Sequence, residues 1–390
     1  MGEYGVSGHV AEGFEPVRAA LEENFALYGE NCAAVCVYLG GERVVSLQGG
    51  RTPQGWRYTT GTRQGLLCAS KGLISLTAHL LAGRGLIDLD RPITHYWPEF
   101  GQNGKDGITL GMVLNQTSGV VSAGAPTTLA ELLDWQAITR RLAAAEPNLA
   151  PGSRHAYAFH TFGLITGEVV RRACGVAMSD YFREAIAEPL GVDLVLRLPE
   201  EERCVVSPIL IPDRLGLRRY IAGLSDLARE SLHLNGAVEI TEQFINDPVV
   251  ATADMPGTVG YGTAEGLARL YAAVLDGRIG GMPSPEEARF DRVEVAGVDA
   301  TIGMPMKYGP GFMLGGGSGE PGGRAQWFGF GGGSGTLGFG DQTKGLAAAY
   351  VSNRFSVVFH DQPRTVNIVN AVYSSLHPAT PSGPERKVLT

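Results

Sequence analysis

The sequence lacks the features that mark most destinations other than a folded globule. No run of about 18 apolar residues occurs, so no membrane span is expected. The opening Met1-Gly2-Glu3-Tyr4-Gly5 has neither a basic segment nor an apolar core, which predicts a chain without an ordinary signal peptide. Positive charge is in deficit: 32 Lys and Arg stand against 40 Asp and Glu, a net charge of −8. With no basic stripe interleaved with aromatics, nucleic acid is not an expected partner. Cysteine is scarce. Cys32, Cys36, Cys68, Cys174 and Cys204 are odd in number and irregular in spacing, which predicts free thiols in a reducing cytoplasm. No second Cys/His pair at zinc-like spacing follows Cys32 and Cys36, so both are read as core and no metal is expected. The glycine runs at 315–317 and 331–333 lack the Lys-Ser/Thr that opens a phosphate-binding helix. No cofactor is expected.

What is present is a chain of 390 residues, 44% hydrophobic and 18% charged, long enough for one large domain or two. An amphipathic helix is expected from about 10 to 28, on Val17, Leu21, Phe25 and Leu27. Strand-like runs at 33–39 and 43–48 flank Gly40-Gly41, a hairpin signal. Helical patterns then dominate 109–114, 128–145, 162–189, 215–234 and 263–275. Short β-like runs return at 309–314, 325–330, 335–339 and 345–352, and 367–376 closes as a helix. Strands at both ends with helices between them predict an α+β fold. Residues 1–75 and 300–390 would form an α/β domain around one sheet, and 76–299 an inserted, mostly helical domain.

The stretch that points to chemistry is Leu66-Leu67-Cys68-Ala69-Ser70-Lys71-Gly72-Leu73, which opens an apolar helix ending at Gly83-Arg84-Gly85. Cys68 and Lys71 are three apart, hence on one helical face. A thiol at a helix start beside an ammonium is placed to favour thiolate, the nucleophilic form. Ser70 adjoins Lys71 and does not share its face.

Together with other segments, this pattern resembles the serine β-lactamase/penicillin-binding-protein superfamily. It is most similar to class C β-lactamase-like esterases and acyltransferases, including family VIII carboxylesterases. The family's Ser-x-x-Lys slot reads Cys68-Ala69-Ser70-Lys71. Gly85-Leu86-Ile87-Asp88-Leu89-Asp90-Arg91-Pro92 and Tyr96-Trp97-Pro98-Glu99-Phe100 follow as in relatives. The second motif falls at Tyr157, after Pro151-Gly152, and the third at Phe330-Gly331-Gly332-Gly333. The match runs from about 15 to 375. The resemblance implies an antiparallel sheet flanked by helices, a helical domain, and a cleft between them. It implies acyl transfer in which Lys71 helps deprotonate the nucleophile and Tyr157 shuttles a proton to the leaving group. The N–H groups of Cys68 and Gly333 would form the oxyanion hole.

Three departures define the reading. Cys68 replaces the family's Ser. Phe159 stands where many relatives have Asn. Phe330 stands where they have Lys, His or Trp, and it cannot clamp a carboxylate. Gln116 also occupies a place where His is frequent. His160, three residues past Tyr157, offers a Cys–His alternative, with a packed histidine as the plain reading; His155 is similar. Tyr308 and Trp327 are read as pocket or core residues. The expected function is acyl transfer through acyl-Cys68. The donor is a small-molecule ester or thioester, an acyl-carrier or coenzyme A thioester among them, and the acceptor an amine, an alcohol or water. The alternatives are an esterase or amidase of the same family, a cysteine introduced in place of serine to trap an acyl intermediate, and a silent binding protein.

Overall fold

The computed structural model describes residues 5–315, 326–356 and 362–376, without the side chains of 203–205. Its centre is a nine-stranded antiparallel sheet drawn from both ends of the chain. In chain order its strands are β1 (Ser7–Val10), β2 (Cys32–Leu39), β3 (Glu42–Gly50), β4 (Val295–Val298), β5 (Pro305–Tyr308), β6 (Met313–Leu314), β7 (Phe328–Gly331), β8 (Leu337–Asp341) and β9 (Leu346–Ser352). Their spatial order is β1-β3-β2-β9-β8-β7-β6-β5-β4. Strands β2 and β9 pair in register from Cys36 with Ala349 to Ala33 with Ser352, joining the two ends of the sequence at mid-sheet.

The alternation of side chains along these strands builds two cores, one on each face. Ala33, Val35 and Val37 face helices α1 (Glu15–Tyr28) and α5 (Pro363–Ser375), where Leu21, Phe25, Ile368 and Val372 close the layer. Cys32, Ala34 and Cys36 face the opposite way, toward Leu267, Leu270 and Tyr271 of α4 (Ala264–Leu275). Helix α2 (Lys71–Gly83) is buried at every position from Lys71 to Leu81. A helix apolar on all sides belongs between two layers, and α2 lies between the sheet side and the helical region, packing on α3 (Thr161–Cys174). A second sheet of four short strands orders Leu194–Val195, Tyr261–Gly262, Arg63–Gly65 and Val206–Ser207. It clamps the chain just ahead of Cys68.

The sequence patterns locate most elements and misplace several boundaries. Residues 10–14 do not join α1. Pro16 stands in its first turn, as proline does where its missing N–H costs nothing, and Ser7–Val10 pairs with β3 as an unforeseen edge strand. The 128–145 run is two helices, Leu129–Leu133 and Trp135–Ala144, because Asp134 is extended and caps the second. The 162–189 run breaks at Gly175, which is left-handed at φ 77°. The 309–314 run is a turn plus Met313–Leu314, and Pro305–Tyr308 and Val295–Val298 are strands without a clear alternating signal. The closing helix begins at Pro363. The Gly40-Gly41 hairpin has φ 58° and 81°, the positive pair that a two-residue hairpin turn needs. Helix α4 and strand β4 lie within the 76–299 range, yet both belong to the sheet layer. Among the described residues no helix is long and apolar enough to cross a membrane.

Candidate active site

The site begins at a constrained turn. Leu66 N–H donates to Gly260 O at 2.7 Å, and Leu67 follows in the left-handed region at φ 49°. A non-glycine residue there is uncommon and is held by its surroundings. Residues Leu67–Ser70 form one 3₁₀ turn that runs directly into α2. The Ser70 hydroxyl donates to Leu67 O at 2.6 Å and to Val259 O at 3.1 Å. Ser70 is therefore a staple of the turn, consistent with its place off the Lys71 face. Cys68 is half-buried and opens onto a cavity of about 190 Å³.

Lys71 is fully buried behind Cys68. Its Nζ donates to Phe159 O at 2.7 Å and Gly257 O at 2.8 Å. Burial drives its pKa below the ordinary lysine value, while the charge of, and hydrogen bond to, Cys68 act in the opposite sense. Two carbonyls fix Nζ in place, and its remaining position turns to the Cys68 sulfur. Tyr157 hydrogen-bonds the same sulfur, and its ring centroid is 5.1 Å from Lys71 Nζ. Burial first, then the Cys68 charge and hydrogen bond, hold its pKa well above the usual tyrosine range, so the phenol keeps its proton.

The Tyr157 segment is strapped in place by Gln116 and by three groups that the sequence patterns do not single out, Asp299, Ser231 and Thr301. Tyr157 N–H donates to Asp299 Oδ1 at 3.1 Å, and its carbonyl accepts from Ser231 Oγ at 3.1 Å and Thr301 Oγ1 at 3.0 Å. Asp299 is fully buried and also accepts from the N–H groups of Thr301 and Ile302. An Asp followed two residues later by Thr is a local turn signal, the one available hint. Ala158 N–H donates to Gln116 Oε1 at 2.9 Å.

Facing Cys68 is the turn after β7. A Cβ on Gly332 would lie 2.5 Å from Leu66 O and 3.5 Å from Cys68 N, so glycine permits this contact. Side chains of the closing helix hold three carbonyls of the turn. Gln362 Nε2 donates to Gly332 O at 3.2 Å, Arg364 Nη2 to Ser334 O at 3.4 Å, and Thr365 Oγ1 to Gly335 O at 2.7 Å. Arg364 is buried against Glu30 at 2.6 Å. The Gly333 carbonyl accepts from Ser356 N–H at 2.8 Å, and its own N–H has no acceptor among the described residues.

The structure thus brings Cys68, Lys71, Tyr157 and Gly333 together, with Phe159, His160 and Trp327 in the cavity wall. Three expected pocket residues lie behind that wall. Gln116 supports the Tyr157 segment; Tyr308 donates to Asp299 Oδ2 at 3.3 Å; Phe330 is fully buried against Tyr157 and Phe162, with ring centroids 6.5 and 5.9 Å away. His160 lines the cavity but is committed elsewhere. Its Nε2 donates to Leu232 O at 2.8 Å, which leaves Nδ1 to accept from Thr258 Oγ1 at 2.7 Å. Burial lowers its pKa to about 3. The Cys–His alternative loses its base on this geometry. His155 bonds Gly297 O at 3.2 Å. Burial pushes the Cys32 and Cys36 thiols up to about 12 and raises Cys174 as well. Among the described residues no cluster of three His, Cys, Asp or Glu side chains is placed to hold a metal.

Comparison with known proteins finds matches along most of the chain. Residues 17–373 match the family model described as Beta-lactamase. The chain is 32% identical over 345 residues to the protein named Esterase/beta-lactamase LipL of Mycobacterium tuberculosis, covering 82% of this chain and 76% of that one. A solved family VIII carboxylesterase superposes with a TM-score of 0.85 at 29% identity, covering 95% of this chain and 99% of the other. A penicillin-binding protein homolog from Caulobacter crescentus gives 0.83, with the same identity and coverage.

Proposed function

The chain belongs to the beta-lactamase family, and from that premise we propose that it transfers acyl groups through an acyl-Cys68 intermediate. Membership makes it an enzyme of the β-lactamase/esterase type, for which hydrolysis is the baseline reaction. The observation that carries the finer reading is the Cys68 thiol held between the buried amine of Lys71 and the protonated phenol of Tyr157. Lys71 takes the thiol proton as sulfur attacks the carbonyl of an ester or thioester donor. The new C–S bond forms and the negative oxygen is held by the N–H groups of Cys68 and Gly333. The C–O or C–S bond of the donor then breaks, and Tyr157 passes a proton to the leaving alcohol or thiol, recovering it from Lys71. Water, an amine or an alcohol attacks the thioester in the second half and gives its proton to Lys71; the C–S bond to Cys68 breaks, and the sulfur takes the proton back to restore the thiol. Water as acceptor makes the enzyme a hydrolase, the reading that the esterase relatives favour. A small-molecule, acyl-carrier or coenzyme A thioester is a suitable donor, because thiols exchange readily with thioesters.

Intact-protein mass spectrometry with an acyl thioester and a p-nitrophenyl ester tests this. One acyl group should be found on the Cys68 peptide, and Cys68→Ala should abolish it. Lys71→Ala and Tyr157→Phe should each slow turnover about 10²–10⁴-fold. The thioester should react faster than the ester, and a chromogenic cephalosporin slowest, since no cationic side chain among the described residues lines the cavity to meet a drug carboxylate. Full turnover by Cys68→Ala, or cephalosporin hydrolysis without thioester reaction, overturns the proposal.

A further inference from the structure

The wall of the cavity is mostly apolar. Tyr220, Leu224, Leu232, Val238, Ile240 and Phe244 come from one helical stretch that forms one side. Ile302, Met304, Met306, Met313 and Trp327 form the other. No charged side chain lines the cavity among the described residues. Several of the polar side chains that do line it are bonded within the protein. Thr258 and His160 bond each other, Thr301 donates to Tyr157 O, Thr365 to Gly335 O and Gln362 to Gly332 O. Thr336 shares a hydrogen bond with Ser334, and Tyr220 is a phenol that burial keeps neutral. The Cys68 sulfur, the Tyr157 hydroxyl and the Gly333 N–H stand together where the carbonyl is to be attacked.

We infer that the acyl group carried by this enzyme is an uncharged, unbranched or aryl apolar chain of about six to eight carbons, and that carboxylated acyl groups are excluded, the size following from an engineered apolar cavity of about 150 Å³ that holds a benzene ring. The cavity here is about 190 Å³, somewhat larger than that reference. The acyl half is assigned to it because that half stays bonded to Cys68 through both half-reactions, whereas the leaving group departs after the first. Three methionines in one wall supply adaptable apolar surface, suited to chains differing by a carbon or two. A carboxylate at the chain end would be buried with no cation among the described lining residues to pair with it, a heavy desolvation penalty. This inference rests on the acyl-Cys68 reading.

The test is a series of p-nitrophenyl acyl esters from acetyl to dodecanoyl, with mass spectrometry of Cys68 run in parallel. The kcat/KM should rise about threefold to fourfold per methylene, the equivalent of burying one CH₂, and level off near hexanoyl to octanoyl. The mono-p-nitrophenyl ester of octanedioic acid should react at least 100-fold more slowly than the octanoyl ester. Met304 is half-buried on a turn, so Met304→Arg is a tolerable way to place a cation in the wall; it should narrow that gap at least tenfold. Leu224→Trp should move the optimum to shorter chains. Equal rates for acetyl and octanoyl donors, a dicarboxylic ester within tenfold of octanoyl, or a rate that follows the alcohol chain in place of the acyl chain each overturns the inference while Cys68 is still acylated. Absence of any acyl-Cys68 with every donor overturns the underlying reading instead.

Discussion

At the scale of single residues, the arrangement around Cys68 works by removing alternatives. Ser70 spends its hydroxyl on two carbonyls, and His160 spends both ring nitrogens. Lys71 spends two hydrogen bonds on the Phe159 and Gly257 carbonyls, which leaves Nζ one position to turn to Cys68. The same economy governs the opposite side of the site. A trans peptide is planar, so the Gly332 carbonyl and the Gly333 N–H point in opposite directions. Gln362 Nε2 and Gly335 N–H hold that carbonyl at 3.2 and 2.9 Å, which fixes where the Gly333 N–H is aimed. Gln362 is thereby a positioning residue. Gln362→Leu should lower kcat about tenfold with KM little changed, because a hydrogen bond aimed at developing charge acts mainly in the transition state. Affinity for a trifluoromethyl ketone should fall in parallel, while alkylation of Cys68 by iodoacetamide keeps its rate. A uniform loss in all three, tracking a lower Tm, would reduce Gln362 to a structural role.

At the scale of elements, the position of Lys71 depends on how closely α3 approaches the chain at Pro256. A Cβ on Gly163 would lie 1.6 Å from Pro256 O, so the helix meets that carbonyl through a bare backbone. The next residue, Gly257, supplies the carbonyl that holds Lys71 Nζ. Gly163→Ala must push the two elements apart, at a cost of about 1–3 kcal/mol for overpacking. The urea midpoint should fall with an unchanged m-value, and the pH at which kcat/KM rises should move as the lysine loses a partner. An unchanged midpoint would show that the segment yields freely. This dependence was not legible beforehand. The pattern of α3 is plain in the sequence, but a glycine in an apolar helix does not say which backbone it admits. The break at Asp134 and the edge strand at Ser7–Val10 were missed for a similar reason: short-range polar and pairing choices there override apolar periodicity.

At the scale of the molecule, two buried histidines tie stability to pH. His79 packs between Phe290 and Phe312 with Nε2 2.7 Å from Pro310 O. Burial lowers its pKa from 6.5 to about 4, and that of His160 to about 3. Glu294 is the charge that acts on His79, and Lys71 and His233 act on His160. Both bind a proton more weakly folded than unfolded. Below about pH 6.5 the unfolded chain therefore takes up protons that the folded chain refuses, and stability falls as pH falls. Each pH unit from 6.5 toward 4 should cost about 1.4 kcal/mol per histidine. Thermal unfolding between pH 7.5 and 4.5 should show the decline, and His79→Gln should flatten its slope. A Tm that holds steady to pH 4.5 would contradict the burial of both rings.

The sequence by itself determined the family, the α+β class and a sheet drawn from both ends of the chain. It also pointed to Cys68, Lys71, Tyr157 and Gly333, which the structure brings close together. These follow from local spacing and from motifs that occupy few residues. Only the tertiary structure decided what surrounds them. Phe330 and Gln116 stand at motif-related positions, yet they lie behind the wall, as does Tyr308, because strand side and backbone turn set where a side chain goes. Asp299, Ser231 and Gln362 reach the site from segments far away in the chain, and no spacing rule connects them to it. The apolar cavity is likewise a property of the assembled walls, since burial and exclusion of charge exist only once separate stretches have closed on one another.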